Sequence, residues 1–333
     1  MEMSQNTSEL DSLPLIPQPV LEGPLAALLE WQAMAEGAYS ANTLRALKAD
    51  GAIFQAFCES RGEKYLPAEP KTIRAFIENR VKAGKKPATI KRYVATIARV
   101  HIAAGLLNPC SSEAVRLGLK KMGRETSARQ DQAYPLGWKE IKEFIDSAGD
   151  GLRADRERAM LCVAYETLAR RGELVALEVR DIDFHPNGTG QALIRRGKTD
   201  SEGQGRVAYL SGETVRWLKI WSQNAGVEEG PVFRRLVGRG TVGGPLNAGS
   251  IAPIFKRVAQ WIGMPARFVD RVSGHSTRVG AAQDLVELDI DLAAITQAGG
   301  WKSTRMPLQY AEKIQASRSG MAKAAEKMGR DSS

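Results

Sequence analysis

Apolar residues recur along most of this chain at intervals of three and four, the spacing of helices that bury one face. The first 22 residues are the exception. They are Pro- and Ser-rich with little periodicity, and 1–22 is expected to be a flexible arm. Ser40 and the residues after it offer N-caps, and Leu44, Leu47, Ile53, Phe54 and Phe57 follow at helical spacing. Glu69 and Pro70 open a second helix carrying Ile73, Phe76 and Ile77. Pro87 opens a third, whose Ile90, Val94, Ile97 and Val100 face inward and leave Lys91 and Arg92 pointing out. Residues 23–124 thus predict one helical domain. Residues 125–132 are polar without apolar period and predict a linker. From 133 to 333 a second domain is expected, again mostly helical, its first helix following Pro135. Strand signals there are confined to Ala192–Arg196 and Arg206–Leu210, a hairpin closed by a polar loop with Lys198 at its mouth. The expected fold is mainly α with a small antiparallel sheet, and 333 residues suit two domains better than one.

Charge adds a partner to this outline. The net charge is +9 and the pI near 9.5, which favours a polyanion. The distribution says more. Met1–Pro70 holds four Lys/Arg against ten Asp/Glu, whereas Lys71–Arg124 holds thirteen against two. A basic block beside an acidic segment predicts a nucleic-acid-binding face. Cys58, Cys110 and Cys162 are odd in number and widely spaced, which fits a reducing, cytoplasmic setting. With His101, His185 and His275 as the full histidine complement, no metal site is expected. No run of about 18 apolar residues exists, so neither a membrane span nor a signal peptide is expected.

The candidate chemistry lies mostly toward the C-terminus. In Ser273–Ala282 (SGHSTRVGAA), His275 and Arg278 are three apart and share a helical face. Trp301 and Tyr310 follow. Upstream, Tyr165–Leu174 (YETLARRGEL) supplies Arg170 and Glu173, and Arg195–Thr199 (RRGKT) supplies Lys198. Two arginines, a lysine, a histidine, an indole N–H and a phenol form a set for breaking a phosphodiester without a metal.

These motifs, with Gln297–Trp301 (QAGGW) and the spacing from Trp301 to Tyr310, resemble the tyrosine site-specific recombinases of the phage integrase family. Leu66–Pro70 extends the likeness into the N-terminal half; it is weakest before Gly23 and between Leu210 and Asp270. The resemblance implies a two-domain DNA clamp, a helical core-binding domain joined to a catalytic domain. It implies that Tyr310 attacks a scissile phosphate and leaves a 3′-phosphotyrosine. Arg170 and Arg278 would hold the non-bridging oxygens, and Trp301, a histidine in many members, would donate its indole N–H. Lys198 would protonate the leaving 5′-oxygen, and Glu173 would orient the cations. His275 would either assist proton removal from Tyr310 or hydrogen-bond the phosphate. No cofactor is implied. Of the adjacent Arg170 and Arg171, the Arg-x-x-Glu-Leu spacing selects Arg170.

DNA reading is expected from Arg45, Lys91 and Arg92, and from Lys256 and Arg257 on a second-domain helix near Ser250–Trp261. The expected partners are duplex DNA with inverted-repeat half-sites and three further copies of the chain, a homo-tetramer on two sites. The amphipathic tail after Tyr310 (Ile314, Met321, Ala322, Ala325, Met328) would dock on a neighbouring protomer. Alternatives are a telomere resolvase or type IB topoisomerase of the same chemistry, or a catalytically silent DNA-binding relative. Pro307 departs from the pattern and should start or kink the tyrosine helix.

Overall fold

The structure is a computed structural model that describes residues 23–126, 131–195, 205–238 and 240–330. The chain divides into two compact units after Gln130. The expected arm over 1–22 and Lys198 lie outside the described residues.

The first unit holds helices α1 (Pro24–Ala35), α2 (Ala41–Glu59), α3 (Pro70–Lys82), α4 (Pro87–Ala103) and α5 (Glu113–Glu125). Their starts follow local chemistry. Thr43 N–H donates to Ser40 Oγ at 3.2 Å, capping α2. Pro70 and Pro87 stand in the first helical turn, where a missing N–H costs nothing. The core is aromatic. Phe76 meets Phe54 and Phe57 edge-on, with ring centroids 5.1 and 5.2 Å apart. Ile90, Val94 and Ile97 are buried as the pattern predicts, while Val100 is only half-buried; Tyr93 and His101 complete the stripe. Helix α5 runs through Glu125, and the second unit begins at Asp131.

The second unit opens with α6 (Trp138–Ser147), α7 (Leu152–Glu166) and α8 (Arg171–Val175). Strands β1 (Ile182–Phe184), β2 (Gly190–Ile194) and β3 (Arg206–Leu210) form an antiparallel sheet in that order. Helix α9 (Gly212–Ala225) is followed by a second hairpin, β4 (Arg234–Val237) with β5 (Thr241–Pro245). Then come α10 (Ile251–Trp261), α11 (Ala266–Val269), α12 (Ser276–Glu287), α13 (Leu292–Ala298), α14 (Arg305–Tyr310), α15 (Glu312–Ser317) and α16 (Gly320–Lys327). The sequence pattern anticipates β2 and β3 but not β1, three residues long, nor the β4–β5 hairpin, whose strands are rich in Arg and Gly.

Helix α7 is the axis of this unit, buried on every side from Asp155 to Ala164. Its charged half is matched by partners. Asn224 Nδ2 donates to Asp155 at 2.9 Å, Arg156 donates to the Arg234 carbonyl at 3.1 Å, and Arg158 stacks 4.7 Å from the Trp217 ring centre. Among the described residues no helix is long and apolar enough to cross a membrane.

His101 fastens the first unit. Its Nδ1 donates to the Ile97 carbonyl at 2.8 Å and its Nε2 accepts the Ala68 N–H at 2.9 Å. Both ring nitrogens are therefore committed to the neutral form, and burial holds the pKa below the ordinary histidine value. The unfolded chain takes up the proton first, so the stability due to this group is present above about pH 6.5 and is lost as pH falls below it. In thermal melts from pH 7.5 to 5, the wild-type midpoint should fall more steeply than that of His101→Gln, which cannot titrate. Parallel curves would exclude His101 as the acid-sensitive fastening.

Candidate active site

Two close approaches fix the start of α12. Gly280 lies against the Leu136 carbonyl, and any Cβ there would overlap it. A Cβ on Gly137 would lie 2.9 Å from Asp284 Oδ1. Asp284 Oδ2 also accepts from Trp138 N–H and Tyr165 Oη, each at 2.7 Å. The Leu136 N–H donates to the Ser276 carbonyl at 3.0 Å. Helix α12 is thereby set against the entry to α6, with His275 as its N-cap residue and Arg278 in its first turn.

Arg278 is buried, with 1 % of its surface exposed. It donates to the Leu168 carbonyl and, at 2.6 Å, to the Gly299 carbonyl, and it sits 4.3 Å from the centre of the Trp301 ring. Leu168 carries φ +47°, a left-handed conformation that costs a branched side chain about 1 kcal/mol. Burial first, then the charge of Arg170, lowers the Arg278 pKa to about 10. It stays charged at neutral pH, but in an environment where each contact counts for more than in water.

Arg170 immediately precedes α8. Its Nη1 donates to Glu173 Oε1 at 2.6 Å, and its own N–H donates to Glu173 Oε2 at 3.0 Å. Arg171 is exposed and packs instead against Gly274, where a Cβ would lie 3.2 Å from its own. Glu173 thus holds Arg170 and not its neighbour. Trp301 follows Gly299 and Gly300, and its ring centre lies 6.0 Å from that of Tyr310 at an angle of 60°. Tyr310 ends α14. Pro307 is the third residue of that helix, inside the first turn, so it starts the tyrosine helix without kinking it. The Tyr310 carbonyl accepts from Gln132 Nε2 at 3.0 Å and Gln283 Nε2 at 2.8 Å.

His275 stands at the rim of this cluster. It is an exposed residue, yet the protein around it takes away part of its hydration. That desolvation, then the charges of Arg278, Arg171 and Arg170, push its pKa below the ordinary value. The structure therefore gathers Arg170, Glu173, Arg278, Trp301 and Tyr310, with His275 beside them. Among the described residues no three His, Cys, Asp or Glu side chains are grouped as metal ligands.

Residues 136–316, over half of the chain, match the phage integrase family, and residues 31–104 match that family's N-terminal SAM-like domain. The chain belongs to the phage integrase family. It is a tyrosine recombinase, an enzyme of DNA strand cleavage and religation. It is 29 % identical over 282 residues to the integrase/recombinase xerD homologue of Selenomonas ruminantium, covering 81 % of each chain. To the recombinase cre of Escherichia phage P1 it is 26 % identical over 306 residues, covering 87 % of this chain and 89 % of the relative. The fold matches that of the Tn1549 transposon integrase in complex with circular intermediate DNA, with a TM-score of 0.63 at 16 % identity, over 92 % of this chain and 98 % of the other.

In this recombinase the expected DNA-reading residues divide into two kinds. Arg45 and Lys91 are exposed. Arg92 makes a two-point bond to the buried Asp50 at 2.8 and 2.9 Å, and Arg257 is paired with the buried Glu157. Lys256 Nζ donates to the Asp270 carbonyl at 3.0 Å. Arg195, beside the lysine motif, is paired with the buried Asp181. Sequence reading passed over Arg206, which opens β3 with its side chain 3.6 Å from Glu173. A basic residue in an exposed-looking strand carries no signal of that contact.

Gly299 allows the Trp301 ring to fold back onto the backbone, since a Cβ at 299 would overlap it. Gly299→Ala should displace the indole and cost about 1–3 kcal/mol, the usual penalty of overpacking. Chemical denaturation followed by near-UV circular dichroism measures both effects, and an unchanged indole signal would refute the close approach.

Proposed function

We propose that this chain is a site-specific recombinase of Cre type, which cuts and rejoins duplex DNA through a 3′-phosphotyrosine at inverted-repeat sites without metal or ATP. The observation that carries this reading is the packing of the Tyr310 ring against Trp301, which itself covers the buried Arg278. A phenol and a guanidinium held around one indole suit attack on a phosphodiester.

In the proposed reaction Tyr310 Oη attacks phosphorus in line, the P–O bond to tyrosine forms, and the bond to the 5′-oxygen breaks. Arg278 has five N–H donors and gives two to carbonyls, so three remain for the non-bridging oxygens. Arg170, held by Glu173, supplies the second guanidinium. Lys198 protonates the leaving oxygen. His275, its pKa held down, is neutral at pH 7 and can accept the tyrosine proton or bond the phosphate. Because the new phosphodiester link keeps the bond energy, the 5′-hydroxyl can reverse the step and religate.

Arg45 and Lys91 are the side chains placed for DNA contact, with Arg92, Lys256 and Arg257 acting around the partners they already hold. Helix α16 leaves Met321 and Met328 about 70 and 69 % exposed, and in this reading it docks on a neighbour round a closed ring of four. The xerD-homologue likeness supports a Xer-type recombinase with the same chemistry and a different target; the recovered sites would tell the two apart.

The test incubates the protein with randomised, nicked inverted-repeat duplexes in EDTA and recovers SDS-resistant adducts. Adducts are expected with wild type and none with Tyr310→Phe. Arg170→Ala should slow their formation by about 10²–10³-fold, the usual loss for one transition-state donor. Hairpin products would indicate a telomere resolvase, and supercoil relaxation without exchange a topoisomerase. Selected DNA bound without any adduct would sink the catalytic reading.

A further inference from the structure

Arg206 is the first residue of β3. Its side chain is 16 % exposed, and both terminal nitrogens, Nη1 and Nη2, are buried with no hydrogen-bond partner. The nearest opposite charge is Glu173 Oε2, 3.6 Å away, on the carboxylate whose other oxygen binds Arg170. Gly300, at φ +59°, makes room for the stem: a Cβ there would lie 2.8 Å from Arg206 Cδ and 2.9 Å from Nε. Burial is the largest influence and acts against the Arg206 charge; Glu173 favours the charge and Arg170 opposes it, and on balance the pKa lies below the ordinary arginine value. A methionine would fill much the same space without that desolvation penalty. The charge is therefore a cost to the fold, and it is spent beside the two groups that orient the phosphate site.

We propose that Arg206 is a positioning residue for strand cleavage: it braces Glu173 so that Arg170 keeps a fixed angle, and it ties strand β3 to the Gly299–Trp301 turn. Three guanidiniums, Arg170, Arg206 and Arg278, then lie near one carboxylate, Glu173, which bonds Arg170 and pairs with Arg206. Their charges are mutually repulsive until an anion enters, so the cluster is poised to bind the doubly charged phosphorane more tightly than the singly charged diester. This proposal rests on the strand-cleavage reading above.

The test compares wild type, Arg206→Met and Arg206→Lys on one nicked duplex recovered by the selection described above. Single-turnover adduct formation, affinity for the same duplex and the melting midpoint are measured together. Arg206→Met should cleave about 10- to 100-fold more slowly, the scale of a displaced catalytic group, with affinity and melting unchanged. Arg206→Lys, which keeps the charge, should recover most of the rate. Cleavage at the wild-type rate by Arg206→Met overturns the proposal and leaves the recombinase reading standing. So does a loss of melting stability common to both variants that accounts for the lost cleavage, since Arg206 is then a packing residue. Wild type that binds the selected duplex but forms no adduct removes the cleavage reading itself, and this proposal with it.

Discussion

The burial of one guanidinium is the constraint on which the rest of this site depends. Taking Arg278 out of water costs several kcal/mol unless its hydrogens are met. Two of them are met by carbonyls from two separate segments, Leu168 at the turn between α7 and α8 and Gly299 at the end of α13, and the guanidinium lies against the face of Trp301. The residue thus joins three stretches of chain that are far apart in sequence. Leu168 keeps its left-handed backbone because its side chain is buried and its carbonyl is engaged. Arg170 lies two residues further on, so the strain at Leu168 sets where that second guanidinium begins. Gly299 and Gly300 are required by the same arrangement, one by the indole and the other by the stem of Arg206.

Much of this was legible in the chain, and for physical reasons. Helical spacing marked α2, α3 and α4, because each buries one stripe and opens at a clear start signal, the Ser40 cap or a first-turn proline, Pro70 or Pro87. The residues around Tyr310 were legible because chemistry restricts them to a few types in a fixed order. Helix α7 was not. Its run of Asp155, Arg156, Glu157 and Arg158 has the look of a solvated face, yet α9 and the β4–β5 hairpin enclose it and supply its counterparts. A charged helix that is buried has no periodicity to betray it. Arg206 was missed for a related reason, since its partner Glu173 comes from 33 positions earlier and its space from Gly300.

The basic residues teach the same lesson from the other side. Charge density in Lys71–Arg124 says that a polyanion is favoured, but it cannot say which cations are unpaired. Arg92 projects from α4 as helical spacing requires, and there it meets Asp50, a buried carboxylate 42 positions earlier. Arg257 meets Glu157 in the same way. A guanidinium committed to a buried carboxylate is oriented, and leaving that carboxylate unpaired would be expensive. Such residues can present their outer edge to DNA only from a fixed position. Arg45 and Lys91 are exposed.

Tyr310 is held by its backbone. Its carbonyl takes two amide hydrogens, from Gln132 and Gln283, and the next residue, Ala311, is fully buried. The backbone is fixed, and the side-chain torsions alone are left to move the hydroxyl. This anchorage continues to Arg318, whose guanidinium donates to the Val286 and Glu287 carbonyls at 2.7 and 2.8 Å, the open end of α12. Beyond Arg318 it stops, for α16 contains no buried residue. The same helix that sets Arg278 therefore also holds the chain on both sides of the tyrosine. The contacts that fix the Tyr310 backbone come from Gln132 and Gln283 and not from the terminal helix.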